Sequence, residues 1–402
     1  MNFIWGLAGI FVILFIGFLL SSKRTAIKPR TILIGLAIQI LIGFVALEFE
    51  PGIRAMEVVV NVANDVLASA NEGLVFLFGG ILPEQGVIFA FQVLPIVIFF
   101  SALISVLYYL KIMQTLVRFV GGALSKLLGT RKAESMSAAA NIFVGQTEAP
   151  LVVRPYIHRM TESELFAVMV GGLASVAGST LFGYASLGID LNYLLPASFM
   201  AAPAGLVMAK LFLPETDQRE EPKDFQMDAD KESSNVVDAA ARGASVGLEL
   251  ALNIGAMLLA FIGLIALINL LFSYVGGVFG FEELSLQLIL GYIFSPIAFV
   301  IGVPWNEAVQ AGNFIGQKLV LNEFVAYANF APQMESFTEK TQAIITFALC
   351  GFANISSLAI ILGGLGRLAP DRRNDLARLG VRAIIAGSLA SLVSAAIAGM
   401  FI

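Results

Sequence analysis

The run Asn141–Leu151, N-I-F-V-G-Q-T-E-A-P-L, limits the folds open to this chain more than any other stretch. It carries a carboxylate, two amides, a hydroxyl, a glycine and a proline inside a sequence that is 58% hydrophobic and 13% charged, with mean hydropathy +0.87. Hydrocarbon cannot host such a run, because an ionised Glu148 and exposed polar backbone each cost several kcal/mol there. It must face protein or water at membrane depth. Its apolar arms, Ser135–Val144 and Leu151–His158, fall far short of the roughly 20 residues a helix needs to cross a bilayer. The expectation is a re-entrant helical hairpin that turns at Gly145–Pro150 and leaves by the side it entered. Gly145 would let backbone approach closely, and Pro150 suits the first turn of the returning arm.

The composition is that of a multi-span helical membrane protein. Phe3–Leu20 has no basic residue before it and no small-residue cleavage site after it, so it reads as a span and not as a secretory signal. One cysteine, Cys350, excludes an internal disulfide and a cysteine metal cluster; one histidine, His158, argues against a His-rich metal site or a His-based triad. No P-loop, dinucleotide fingerprint, HExxH or nucleic-acid-binding module is present. Neither an enzyme nor an organic cofactor is expected.

Eight spans are predicted: Phe3–Leu20, Thr31–Leu47, Gly86–Leu110, Leu165–Leu187, Leu191–Leu213, Gly247–Tyr274, Ala343–Leu365 and Ala383–Ile402. Gly52–Leu82 reads as an interfacial or extracellular helix, Val117–Leu128 as an amphipathic helix on the inner surface, and Pro214–Val246 as a solvated polar loop. Of the 24 Lys and Arg, only Arg54, Lys318 and Lys340 fall in outer segments, and Lys210 lies near an inner helix end. This bias fixes the orientation, with both termini outside.

An amphipathic helix, a polar hairpin, a broken span and a plain span occur in that order twice. The first set is Val117–Leu128, Ser135–His158, Leu165–Leu187 (interrupted over Gly171–Ser179) and Leu191–Leu213. The second is Leu286–Val303, Trp305–Phe330, Ala343–Leu365 (interrupted over Gly351–Ser357) and Ala383–Ile402. The first hairpin opens inward and the second outward. N-I-F-V-G-Q at Asn141–Gln146 also echoes N-F-I-G-Q at Asn313–Gln317, with one residue deleted. This is the pattern of an inverted repeat, which in secondary transporters puts the substrate among broken helices at the midplane.

Three motifs, G-Q-T-E-A-P (Gly145–Pro150), N-E-F-V-A-Y (Asn322–Tyr327) and G-F-A-N-I-S-S (Gly351–Ser357), resemble those of the concentrative nucleoside transporters, specifically bacterial sodium-coupled members. The likeness covers essentially the whole chain. It implies an all-α polytopic fold of eight transmembrane helices plus two re-entrant hairpins, assembled as a homotrimer in the bacterial cytoplasmic membrane. It further implies a scaffold of spans 1–3 (residues 1–110), a first transport repeat (111–213), a loop with scaffold span 6 (214–275) and a second transport repeat (276–402). By the same resemblance Gln146, Thr147 and Glu148 contact the nucleoside, the first two towards the base; Glu323 binds ribose; Phe352, Asn354 and Ser357 contact base and ribose. Asn141, Val144, Ser175 and Val176 supply oxygen ligands to sodium, the coupling ion. Transport would proceed by alternating access of a mobile domain, with a proton-coupled symporter as the alternative.

The residue types suit that chemistry. Carboxylates accept from ribose hydroxyls, amides both donate to and accept from a base edge, and an aromatic ring can stack. Intramembrane carboxylates such as Glu148 and Glu323 are functional by default. Plainer roles are open for others: Asn354 and Ser357 suit hydrogen bonds across helices, Ser175 suits small-residue packing, Phe352 suits core or lipid-facing filling, and His158 suits an interface. A channel would need a continuous polar pore, whereas these polar groups cluster at one depth.

Overall fold

The computed structural model describes residues 2–82, 88–217, 233–281 and 283–402, and every regular element among them is helical. The order is α1 (Asn2–Leu19), α2 (Pro29–Leu47), α3 (Glu50–Phe78), α4 (Phe89–Gln92), α5 (Leu94–Tyr109), α6 (Ile112–Leu128), α7 (Lys132–Ala140), α8 (Glu162–Ala174), α9 (Gly178–Ser186) and α10 (Leu191–Phe212). Then come α11 (Val236–Val278), α12 (Leu286–Val300), α13 (Trp305–Val320), α14 (Glu323–Phe330), α15 (Glu339–Leu349), α16 (Ile355–Leu368) and α17 (Arg373–Ala398). Among the described residues, seven elements are long and apolar enough to cross a membrane, with α4–α5 and α8–α9 each counted as one. The eighth span is the pair α15 and α16, of 11 and 14 residues.

Two regions follow the expected hairpin path and differ in detail. The first enters as α7 and returns as a 3-10 helix over Ala149–Arg159, with Pro150 in its opening turn and Pro155 inside it. Proline removes a backbone donor and clashes with the preceding turn, which favours the tighter, short-range bonding seen here. The second hairpin is α13 followed by α14, and α13 leaves α12 at a bend of 115°. Both expected broken spans are broken: α8 ends at Ala174 and α9 begins at Gly178, and α15 ends at Leu349 and α16 begins at Ile355.

Several boundaries move. The expected loop 214–246 is helical from Val236 on, because Asn235 caps α11 by accepting from the Asp238 N–H at 3.0 Å; its residues 218–232 lie outside the described residues, as do 83–87 before α4. The last span begins at Arg373, ahead of its apolar stretch, where Asp375 accepts from Arg372 and Arg378. The α6 helix buries Met113, Val117, Gly121, Leu124 and Leu128 along one face, the 3.6-residue spacing of an amphipathic helix. Its last carbonyls are taken by Arg30, which donates to Lys126 and Leu127, and by the Thr31 hydroxyl, which donates to Leu128.

The core gathers around α8, α10, α15 and α17, and α1 and α2 lie against α10 and α17. The α5 and α11 helices pair closely instead. A Cβ at Gly243 would come within 2.5 Å of Ser105 Oγ, and one at Gly247 within 2.7 Å of Ser101 Cβ. Small residues on both helices thus let the backbones meet.

Candidate functional site

The first hairpin tip is held against the break between α8 and α9 by backbone. The Gly178 N–H donates to the Phe143 carbonyl at 3.1 Å. A Cβ at Gly178 would sit 2.8 Å from that oxygen, and one at Gly172 would sit 2.9 Å from Gln146 Cβ. The close approach expected at Gly145 therefore occurs on the opposing side: a Cβ at Gly145 would meet only Ala177 at an ordinary 3.6 Å. Absence of side chains at Gly172 and Gly178 is what brings the tip to the break.

The four expected sodium-ligand residues lie on the two elements that meet there. Asn141, 1% exposed, donates from Nδ2 to the Ser137 carbonyl at 3.0 Å, and its Oδ1 is buried with no hydrogen-bond partner. The buried Ser175 hydroxyl donates to the Gly171 carbonyl at 2.8 Å, leaving its lone pairs free. The carbonyls of Val144 and Val176 accept no hydrogen bond among the described residues. Buried acceptors without donors are costly unless a cation meets them. Neutral oxygens of this kind suit a hard monovalent cation. No cluster of three or more His, Cys, Asp or Glu that could hold a divalent metal occurs among the described residues.

The second hairpin presents Glu323 at the start of α14, 5% exposed, where helix N–H groups favour a carboxylate. Tyr184 Oη donates to its Oε1 at 3.1 Å and Asn354 Nδ2 donates to its Oε2 at 2.9 Å. Asn354 also caps α16, its Oδ1 accepting from the Ser357 N–H at 2.7 Å and from the Ser356 hydroxyl at 2.7 Å. The two breaks touch: the Phe352 N–H donates to the Ser175 carbonyl at 3.0 Å.

These elements enclose a cavity of about 750 Å³ lined by Gln146, Thr147, Glu148, Glu323, Phe352 and Ser357. Six of the seven expected substrate residues are thus brought together, while Asn354 stands behind Glu323, fully buried. The cavity also includes Thr180 of α9, Asn253 and Glu249 of α11 and, at one end, Arg367 of α16. Sequence reading missed Thr180, Tyr184 and Asn253. Asn253 is one of two amides in an apolar span, with Asn269, and that polarity is the signal that could have flagged it. Lys318, which the charge count placed in an outer segment, is 3% exposed inside the second hairpin, where it donates to a helix-end carbonyl and a hydroxyl.

Opposed re-entrant hairpins meeting broken spans around one cavity define a secondary transporter of the inverted-repeat kind. The chain belongs to the Na+ dependent nucleoside transporter family: residues 193–399 match its C-terminal part, 8–81 its N-terminal part, and 90–190 a nucleoside recognition (gate) segment. It is 58% identical to the transporter YutK of Bacillus subtilis over the full length of both chains. It is 48% identical to the nucleoside permease NupC of Helicobacter pylori, covering 99% of this chain and 98% of that one. A solved structure of CNTnw in an inward-facing substrate-bound state is 52% identical, with a TM-score of 0.95 over 100% of this chain and 98% of that one. A doubly substituted CNTnw in an outward-facing state matches with a TM-score of 0.97. Its relatives are transporters and permeases, not enzymes, and they have been captured facing both ways.

Proposed function

We propose that the protein imports nucleosides across the bacterial cytoplasmic membrane in symport with sodium. The observation that carries the ion assignment is the unpartnered, buried Oδ1 of Asn141 beside the free carbonyls of Val144 and Val176. Together with Ser175 these form a sodium site made of neutral oxygens, which needs no protonation step. Substrate groups follow directly in the same tip: Gln146 and Thr147 address the base and Glu148 reaches the sugar or base edge. From the other side Glu323 accepts from ribose hydroxyls, Phe352 stacks, Ser357 hydrogen-bonds, and Asn354 contributes by fixing Glu323.

Ion and substrate share one short tip, so each stabilises the arrangement the other needs. Binding free energies are reciprocal, and sodium should raise nucleoside affinity by the factor by which nucleoside raises sodium affinity. The substrate is neutral, so one sodium carries one charge inward and supplies about 2.3 kcal/mol per 100 mV of membrane potential. The α5–α11 pair serves as scaffold in a homotrimer. The hairpin body moves against it, and the packing of α1 and α2 on α10 and α17 supports counting those two spans with the moving part, where the sequence reading counts them with the scaffold. The basic ends, Arg367 among them, face the cytoplasm, with both termini outside, so the cavity opens inward.

Uridine uptake into proteoliposomes, with sodium and proton gradients imposed separately, tests the reading. Uptake should require the sodium gradient, and Asn141→Leu should abolish that requirement or the uptake itself while leaving assembly intact. Equal uptake driven by protons in sodium-free buffer would replace it with the proton-coupled alternative.

A further inference from the structure

The α6 helix carries more than the apolar stripe that packs it against the protein. Around a helix of 3.6 residues per turn, one step along the chain rotates by about 100°. One step back from the packed stripe lies a second apolar stripe, Ile112, Leu116, Phe119, Ala123 and Leu127. All of it is exposed, Phe119 to 76%. A further step back lies a third stripe, which holds the exposed Lys111, Arg118 and Lys126. The helix therefore presents an uncovered apolar face flanked by cations, and no Asp or Glu occurs between Lys111 and Ala133. It starts where the span α5 ends, and its last carbonyl meets Thr31 in the first turn of α2, so it lies at the membrane edge.

Two observations set these cations apart from ordinary surface charge. Lys111 joins α5 to α6 at φ 63°, the one non-glycine residue in the left-handed region among the described residues. The joint at the other end, Gly129 at φ 68°, uses the residue that adopts this backbone without strain. A lysine there is strained where glycine or asparagine would not be, which points to a use for its ammonium. At the far end Arg30 donates to the Lys126 and Leu127 carbonyls at 3.1 and 3.3 Å, and this fixes another exposed cation next to Lys126.

An apolar stripe beside a basic one suits a helix lying in the headgroup layer, with acyl chains against the first and anionic phosphates against the second. A second copy of the chain presenting the same face would set cation against cation. We propose that the uncovered face of α6 is a binding surface for anionic phospholipid, with Lys111, Arg118, Lys126 and Arg30 meeting the headgroups. The contact depends on neither the sodium nor the nucleoside reading. It falls on the helix that links α5, the partner of α11, to α7, where the first hairpin begins.

The test uses the full-length protein in phosphatidylcholine bilayers, with Cys350→Ser and with Ala123→Cys carrying a small fluorophore on the apolar stripe. Phospholipid brominated in its acyl chains quenches a fluorophore that it touches. Each Lys or Arg at an anionic surface changes association roughly fivefold. Brominated phosphatidylglycerol should therefore quench at a mole fraction roughly fivefold or more below that needed for brominated phosphatidylcholine. Higher ionic strength should shrink this preference. K111N/R118Q/K126Q should remove most of it while phosphatidylcholine still quenches, because K111N keeps the left-handed backbone. The charge-keeping K111R/R118K/K126R should retain it. Equal quenching by both lipids in the parent overturns the proposal, and so does quenching by neither, which would mean that protein or water covers the face. A preference undiminished in the neutral variant also overturns it, since other cations would then be its source. Should the neutral variant not insert, R118Q alone and the salt dependence of the parent decide, and a preference unmoved by both overturns the proposal.

Discussion

Glu323 and Lys210 show how differently two buried charges can be used. Glu323 receives hydrogen bonds from Tyr184 and Asn354 and still borders the cavity, an arrangement that supports its proposed role of holding acceptor lone pairs in place for a substrate. Replacing it by Gln keeps the shape and removes the charge. Losing a charged hydrogen-bond partner costs about 1.5–3 kcal/mol, so Glu323→Gln should weaken uridine binding roughly tenfold to over a hundredfold. Equilibrium binding to the purified protein checks this; normal affinity would discard the ribose assignment. Lys210, by contrast, is paired to Glu134 and also donates to Ser163 Oγ at 2.9 Å. Nearby, Arg131 lies 3.7 Å from Glu164 and 3.6 Å from Glu215. Lys210→Met strands Glu134 in a dry site, and breaking such a pair costs about 3–5 kcal/mol. The expected result is a marked fall in thermal stability with the residual uridine affinity intact, read by melting and binding on the same preparation.

Elements here meet through what glycine leaves out. On α11 the sequence Gly243-Ala244-Ser245-Val246-Gly247 puts two glycines four apart, facing Ser101 and Ser105 of α5. Lipid gives apolar helices little reason to associate, so close packing through small residues carries the pairing. Gly247→Leu would drive its side chain into Ile98 and Ser101, and should separate α5 from α11. A disulfide engineered between the two helices, formed readily in the parent and poorly in the variant, measures this. Gly178 acts likewise at the hairpin tip. Gly178→Val has no room beside the Phe143 carbonyl, so it should abolish sodium-dependent uptake while the protein still inserts, whereas Gly145→Ala, with open contacts, should be tolerated.

For the molecule as a whole, the proposed motion is that of the hairpin body past the α5–α11 pair. Phe100 of α5 stacks on Phe182 of α9 with ring centroids 3.6 Å apart, so this contact must break and re-form if α9 travels. With Cys350 replaced, a cysteine at Thr147 should cross-link to α11 at two separate depths, one under inward-facing and one under outward-facing conditions. A single depth in both would mean rocking around a fixed site.

Sequence alone determined the class of fold, the eight spans, both hairpins and their opposed sense, because chemistry that lipid forbids is visible residue by residue: Glu148 in an apolar run, glycines inside spans, arginines gathered on one side. It also named the tip residues, since Gln146, Thr147 and Glu148 have little other reason to occur there together. Boundaries carried by caps were less legible. The start of α11 depends on Asn235 and Asp238, polar residues that read equally well as loop. What only the tertiary structure decided is which groups are already satisfied. Asn354 and Ser357 look alike as polar residues in a broken span, yet one is spent on Glu323 and a helix cap while the other borders the cavity. Lys318 reads as an outer charge until α15 is seen to end beside it. The physical reason is that a hydrogen-bond inventory is a property of three-dimensional neighbours, whereas the cost of leaving a polar group in lipid is a property of the residue itself.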